Sequence, residues 1–235
     1  MLLNPCRFSL TGDPYREQVV SLLHFDESVG GVTPTDATGR TWSLSGGVPS
    51  ASPALFGRAR LFGPYGVGAM QITTAAHADL DMGTDDFTIE FSLYSSAEWQ
   101  GDYASPIGSN RFGWGAGAVL FSFQPGSNSR LDFYEYDHYT ATGTYAVTFG
   151  TYTPDQWTRY ALVRSGTTLL AFVDGTLVFT RTGFTQSVNF GYGGMAIGFN
   201  LINSHNYEGL MDEFRLTRAA RYSGNYDIGT EPFDY

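Results

Sequence analysis

A short run near the carboxyl end carries the strongest fold signal: Gly209-Leu210-Met211-Asp212-Glu213-Phe214-Arg215-Leu216-Thr217, followed by Ala220-Arg221-Tyr222. Its polar and apolar residues alternate, which is typical of a β-strand. Strict alternation would place Met211, Glu213 and Arg215 on one side and Asp212, Phe214 and Leu216 on the other. A carboxylate on the apolar side costs several kcal/mol unless hydrogen-bond donors or a metal ion satisfy it. We therefore expect Asp212 to be paired or liganded.

The same alternation recurs between turn residues along most of the chain. In residues 87–95, Phe87, Ile89, Phe91 and Leu93 alternate with Thr88, Glu90, Ser92 and Tyr94. Asp174-Gly175 separates two such segments and is typical of a two-residue hairpin turn. The pattern predicts strands at 19–25, 67–73, 87–95, 119–123, 131–136, 145–149, 157–165, 168–174, 177–181, 195–199 and 210–217. Short strands joined by tight turns predict an all-β, antiparallel two-sheet sandwich.

Composition limits the kinds of protein that this chain can be. The 29 glycines and 16% aromatic residues suit tight turns and pleated faces, and no apolar run reaches the roughly 18 residues of a membrane-spanning helix. The net charge is −10, and the basic residues are 13 arginines scattered along the sequence without forming a cluster. An acidic surface repels phosphate, so nucleic acid and membrane partners are not expected.

The run at 209–217 resembles the last core strand of the concanavalin A-like, laminin G-type jelly-roll domains. Other motifs of that family follow in the same order: VVSLLHFDE at 19–27, DATG at 36–39, FGRA at 56–59, DFTIE at 86–90, WTRYALVR at 157–164 and VDG at 173–175. The resemblance spans roughly residues 15–233. It implies one jelly-roll domain over 18–235, preceded by an arm or linker at 1–17 that lacks strand periodicity.

The resemblance also suggests a biological setting. The motif DPY at 13–15, together with DEFRLTRAARYSGNY at 212–226, is similar to laminin G-like proteins of tailed bacteriophages. In those proteins the domain is displayed on the virion as a decoration, fibre or tail component. The amino terminus, with Pro5 and Arg7, lacks the apolar core of a secretory signal. We therefore expect a protein made in the host cytoplasm and carried on the virion surface.

Calcium is the metal that the resemblance implies, because the family often holds a structural Ca²⁺ where the first and last strands meet. Carried over to this sequence, the ligands would be Asp26 and Asp212, with carbonyl oxygens from the turn at 36–39. Calcium prefers about six to eight oxygen ligands, which a turn at a sandwich rim can supply. The alternative is that Asp26 caps a turn while Asp212 accepts hydrogen bonds from backbone N–H groups.

Catalysis has weak support in the sequence. Retaining glucanases of this architecture carry Glu, Asp and Glu on one strand face. The nearest match here, Glu135-Tyr136-Asp137-His138-Tyr139-Thr140, lacks the second Glu. A polysaccharide lyase would need residues such as Tyr136, His138 and Arg130 in one groove, and no motif groups them. We expect a protein that is not an enzyme.

Ligand binding is better supported, because aromatic faces stack on sugar rings while polar groups contact the hydroxyls. Aromatic and polar residues concentrate in segments that we expect to be loops or strand ends. The candidate ligand-binding residues are Trp99, Tyr103, Trp114, Tyr134, Tyr136, His138, Tyr139 and Tyr207. Half-buried aromatics are also ordinary at the margins of β-sandwiches.

Two hypotheses follow from these observations. In the first, the chain is a virion adhesion module that binds cell-surface or environmental glycans weakly, with avidity from many copies or a homo-oligomer. In the second, it is a structural decoration protein whose arm docks on other virion proteins. A polysaccharide-cleaving enzyme is a third, weaker hypothesis.

Overall fold

The computed structural model describes residues 12–28, 33–45, 50–51, 53–63, 71–95, 104–109, 118–123, 130–136, 143–200 and 205–235. Its helical content in these ranges is two short 3₁₀ turns, Arg16–Gln18 and Ala78–Leu80. No helix there is long and apolar enough to cross a bilayer. The strands are β1 Val19–Leu23, β2 Ser43–Ser45, β3 Ser50–Ala51, β4 Ala59–Phe62, β5 Gln71–Thr74, β6 Asp81–Gly83, β7 Phe87–Ser95, β8 Ile107–Ser109, β9 Val119–Phe123, β10 Arg130–Tyr136, β11 Gly143–Thr151, β12 Trp157–Ser165, β13 Thr168–Val173, β14 Thr176–Arg181, β15 Val188–Asn189, β16 Met195–Ile197, β17 Phe199–Asn200, β18 His205–Asn206 and β19 Gly209–Thr217.

Two large antiparallel sheets form the sandwich. The eight-stranded sheet has the order β14-β13-β12-β7-β19-β4-β3, and β1 pairs with β19 beside β4. The seven-stranded sheet has the order β11-β10-β9-β8-β16-β5-β2. Their inner faces meet in one core, where the rings of Phe91 and Phe121 pack edge to face at 4.9 Å. The predicted all-β, two-sheet jelly-roll fold is confirmed.

Every strand predicted from alternation overlaps an observed strand. The bounds of β7, β9 and β12 are those predicted, because each carries a full alternating pattern between turn residues. Alternation did not predict the short strands β2, β3, β4, β6, β8, β15 and β18, since two to four residues show too little of a period of two.

The predicted hairpin at Asp174-Gly175 is confirmed. Both residues have positive φ, +47° and +73°, as a type I′ turn between twisted strands requires. A Cβ on Gly175 would lie 2.1 Å from the carbonyl oxygen of Tyr226, so the close approach of the carboxyl-terminal segment also requires glycine.

The faces of β19 differ from strict alternation because the strand contains a bulge between Asp212 and Arg215. Glu213 has a positive φ of +54° at this point. Met211, Phe214 and Leu216 all pack in the core, whereas Asp212 pairs with Ser92 and Arg215 pairs with Glu90 on the opposite face. The prediction that Asp212 shares a face with Phe214 and Leu216 was wrong, since one extra residue shifts the phase of every side chain after it.

The outer face of the eight-stranded sheet is covered by residues 218–235. Thr88, Glu90 and Ser92 on this face are at most 2% exposed. Tyr222 and Tyr226 stack on each other at 3.5 Å above Phe172. This covering gives the sheet a second, smaller apolar layer.

Both ends of the described chain contact this face through a buried charge network, which consists of Asp13, Glu90, Arg215, Arg221 and Tyr222. Glu90 pairs with Arg215 at 2.8 Å and accepts a hydrogen bond from the hydroxyl of Tyr222 at 2.6 Å. Asp13 pairs with Arg221 and lies 3.6 Å from Arg215. The described end of the predicted arm thus contacts the sandwich, while the domain boundary at residue 18 stays a prediction.

Candidate binding groove and acidic rim

A groove of about 880 Å³, which we call the rim groove, opens on the surface of the described part of the chain. It lies between the start of β1, the turn before β2 and the segment after β5. Its volume is within the range of roughly 300–1,000 Å³ found for small-ligand sites. The lining side chains used below are Arg16, Glu17, Arg40, His77, Asp79 and Arg218.

Hydrogen bonds hold the walls of the rim groove. The 3₁₀ turn of one wall is joined to β19 because the N–H of Arg218 donates to the carbonyl oxygen of Gln18 at 2.8 Å. The guanidinium of Arg218 then donates to the carbonyls of Asp79 and Asp81, at 3.1 and 2.9 Å, in the second wall. Arg218 therefore ties the two walls together.

An ion pair inside the rim groove joins Arg40 to Asp79. Arg40 also donates to the carbonyl of Val20 at 3.3 Å. Although burial acts to raise the pKa of the Asp79 carboxyl, Arg40 and then His77 outweigh it and hold that pKa below its ordinary value. Asp79 is thus a charged partner for Arg40 across the neutral pH range.

The two predicted metal ligands, Asp26 and Asp212, bind the same loop. Oδ2 of Asp212 accepts hydrogen bonds from the backbone N–H groups of Leu55 and Phe56 at 2.9 and 3.0 Å. Oδ1 of Asp26 accepts one from the N–H of Arg58 at 2.7 Å. These contacts are those of the hydrogen-bonding alternative. Gly57 permits them, because a Cβ there would lie 2.0 Å from Oδ1 of Asp26.

The second carboxylate oxygen of Asp212, Oδ1, is buried without a hydrogen-bond donor among the described residues. Asp212 is 0% exposed, and its Oδ1 has no hydrogen-bond partner among the described residues. Burial, with the charges of Glu213 and Asp26, raises the pKa of Asp212 to about 7, against the N–H groups of Leu55 and Phe56 that lower it. A proton or a cation on this oxygen would relieve the cost of burying its charge.

The neighbouring Glu213 is fully engaged. Its Oε1 lies 2.8 Å from Nδ1 of His24, and its Oε2 accepts a hydrogen bond from the N–H of Phe233 at 2.7 Å. The hydrogen bond to Glu213 raises the pKa of His24 above its ordinary value, although burial opposes it. Glu213 therefore links β1, β19 and the carboxyl-terminal segment.

The described residues fit calcium only in part. Asp26 and Asp212 lie close together, and Asp212 has the orphaned oxygen. In the turn at 36–39, Asp36 already makes hydrogen bonds within the protein. Its backbone carbonyl accepts one from the N–H of Gly39, and its carboxylate accepts others from Ser21, Leu22, Thr38 and Trp42. Within the described ranges no group of three or more His, Cys, Asp or Glu side chains could hold a metal ion. Calcium would have to take most of its ligands from carbonyl oxygens and water, and it stays a prediction.

Most of the predicted ligand-binding residues fall outside the described residues: Trp99, Tyr103, Trp114, His138 and Tyr139. Tyr134 and Tyr136 lie on β10. The half-buried Tyr134 alternates with core residues Leu131 and Phe133, so it lies on the outer face of the seven-stranded sheet. Asp132 shares that face, and burial raises the pKa of its carboxyl against Thr148 and Arg130.

Tyr207 is a core residue, which corrects its assignment as a ligand contact. Its side chain is 0% exposed, and its ring stacks on Phe123 with centroids 5.9 Å apart. Its hydroxyl lies 3.2 Å from the carbonyl of Tyr94 and 3.1 Å from that of Leu210. Composition alone cannot distinguish such a hydrogen-bonded core tyrosine from a surface one.

Comparisons with known proteins agree with this geometry. Residues 68–223, more than half of the chain, match the Laminin_G_3 family model, described as the concanavalin A-like lectin/glucanases superfamily. The chain belongs to this superfamily. A comparison with curated proteins finds no match.

Solved structures with the same fold include binding domains of larger proteins. Domain 4 of the extracellular GH43 arabinanase AbnA from Geobacillus stearothermophilus, in complex with arabinotriose, is 16% identical with a TM-score of 0.62, and the match covers 86% of this chain and 93% of that domain. The binding domain of Paraclostridial Mosquitocidal Protein 1 is 11% identical with a TM-score of 0.67, covering 88% and 50%. The botulinum neurotoxin DC binding domain in complex with SialylT is 13% identical with a TM-score of 0.65, covering 88% and 50%. The chain spans about half the length of these toxin binding domains, and at such identities the likeness shows the fold.

Proposed function

We propose that this chain is a non-catalytic carbohydrate-binding module that is displayed on a bacteriophage virion and binds glycans in the rim groove. The observation that carries the proposal is the groove itself, a cavity of about 880 Å³ on a lectin-like sandwich. Hydrogen-bonding side chains from separate segments line it. Such a surface can contact several hydroxyl groups of an oligosaccharide at once.

A binding role without catalysis is supported by the similar structures, most of which are named as binding domains. In this chain, two neighbouring carboxylates whose charges interact, Asp212 and Glu213, make structural contacts. Glu213 bonds His24 and Phe233, and Asp212 bonds the loop at 55–56. Neither is positioned as a free acid or base beside the rim groove.

Display on a virion rests on the sequence resemblance to laminin G-like phage proteins. Four residues of the motifs that carry this resemblance, Asp13, Arg215, Arg221 and Tyr222, meet in the buried charge network. The motif therefore has a structural role, and the arm that precedes Asp13 is the segment that we expect to contact other virion proteins. A decoration protein without a ligand is the second candidate.

Glycan arrays probed with the full chain, with calcium and then with chelator, test the proposal. We expect selective binding that Ala76→Trp abolishes, because the indole would obstruct the rim groove without removing any ion pair. Ala37→Trp, at an exposed position outside the groove, should retain binding. An absence of binding by the folded wild-type chain would overturn the glycan proposal. Loss of assembly into virions on deletion of residues 1–11 would then favour the decoration role.

A further inference from the structure

The electrostatic character of the rim groove differs from that of the whole chain. The chain carries a net charge of −10. The groove lining brings together Arg16, Arg40 and Arg218. Arg40 pairs with Asp79, Arg218 pairs with Asp85 at 3.2 Å, and Glu17 also lines the groove, so the charges gathered here are close to balanced. These arginines are far apart in the sequence, so only the fold gathers them. An anionic ligand would therefore be repelled less in this groove than by the average surface of a chain with a net charge of −10.

Arg16 is the arginine in this set that is available to a ligand. Arg40 is paired with Asp79, and Arg218 is held by the carbonyls of Asp79 and Asp81. The guanidinium of Arg16 lies over the ring of Tyr235 at 4.8 Å, and no carboxylate of the described residues pairs with it. Its backbone is fixed, because its N–H donates to the carbonyl of Asp13, which the charge network anchors. Among the described residues, Arg16 is thus a groove arginine that pairs with no carboxylate and lies beside the exposed ring of Tyr235.

We infer that the ligand of the rim groove is an acidic saccharide whose carboxylate binds the guanidinium of Arg16. This inference rests on the proposed function and specifies its ligand class. A guanidinium matches a carboxylate in a two-bond planar geometry, and the ring of Tyr235 offers an apolar face to the adjoining sugar. A single guanidinium suits a single carboxylate, whereas a densely sulfated polymer would require several cations, and Arg40 and Arg218 are already paired with Asp79 and Asp85.

The test uses pairs of oligosaccharides that differ in the carboxylate. Oligogalacturonate is compared with its methyl ester, and sialyllactose with lactose, by titration of the full chain at two salt concentrations. We expect the acidic member of at least one pair to bind at least about tenfold more tightly, the usual value of a charge-assisted hydrogen bond. Arg16→Gln should remove this preference, so that the acidic and the neutral member of a pair bind with equal affinity, and Arg16→Lys should restore part of it.

Arg58→Gln is the matched control, since Arg58 is exposed and lies outside the groove lining but changes the net charge equally. Equal binding of acidic and neutral members would overturn the carboxylate inference and leave the proposed function standing. A preference lost equally in Arg16→Gln and Arg58→Gln would also overturn it, because the attraction would then be general. No binding of any probe by the folded chain would overturn both. Unfolding temperatures of all variants show whether the fold is retained.

Discussion

The substitution Asp212→Asn is expected to stabilise the protein increasingly as the pH rises. In the folded protein, Oδ2 of Asp212 accepts two backbone N–H hydrogen bonds while Oδ1 is buried without a partner. Asparagine has the same shape, and its carbonyl oxygen can accept the same two bonds. Its amide would place an uncharged donor where the orphaned oxygen now lies, close to Asp26.

The magnitude follows from the raised pKa of about 7, against an ordinary value of 3.8. Because the pKa of this acid is raised in the folded protein, its charge does not lower the free energy of unfolding below pH 3.8. The free energy of unfolding falls as the pH rises from 3.8 to 7, and above pH 7 it is reduced by the full cost. The full cost is roughly 4 kcal/mol, of which about 2–3 kcal/mol develops between pH 5 and pH 8. Between pH 5 and pH 8, the free energy of unfolding of Asp212→Asn should therefore rise by about 2–3 kcal/mol relative to that of the wild type.

Urea unfolding at pH 5, 6, 7 and 8 in the presence of a chelator measures this difference. Asp234→Asn, the same change at an exposed carboxylate, is the control, and it should shift stability equally at every pH. A relative stability that stays constant or falls as the pH rises would refute the reasoning. Repeating the series in calcium tests the metal prediction, since a bound cation would stabilise the wild type and make Asp212→Asn destabilising.

Three further outcomes are expected from the same unfolding assay. Glu90→Gln removes the buried carboxylate that pairs with Arg215 at 2.8 Å, while Asp13 remains at 3.6 Å, and should cost about 3–5 kcal/mol. Glu231→Gln on the exposed surface should cost nothing measurable. Gly175→Ala forces a methyl group to 2.1 Å from the Tyr226 carbonyl at positive φ and should cost more than about 1 kcal/mol, in contrast to Gly12→Ala, where space is open. The pKa of His24 is raised in the folded protein, so its ion pair with Glu213 contributes stability that is fully present below pH 6.5. This contribution is lost as the pH rises through the folded pKa. His24→Gln should therefore be most destabilising at pH 6 and progressively less so above it. A deficit of His24→Gln that does not change with pH would contradict this assignment.

The candidate site was only partly predictable. Alternation identified β7, β12 and both strands of the Asp174-Gly175 hairpin, because a period of two and a turn dipeptide are local signals. The burial of Asp212 was predicted, but for the wrong reason. Asp212 lies on the face opposite the core, where it pairs with Ser92, and the loop at 55–56 covers it. The aromatic-rich segments marked Tyr207 as a ligand contact, although it is a core residue.

The sequence by itself determined the fold class, most of the strand positions and the family, since alternation and short motifs survive in a one-dimensional pattern. Only the tertiary structure decided which charges meet. Arg16, Arg40 and Arg218 line one groove, and Asp13 reaches Arg221 across nearly the whole chain. The physical reason is that pairing between distant strands sets these distances, and a single-residue bulge in β19 changes them without leaving a local signal.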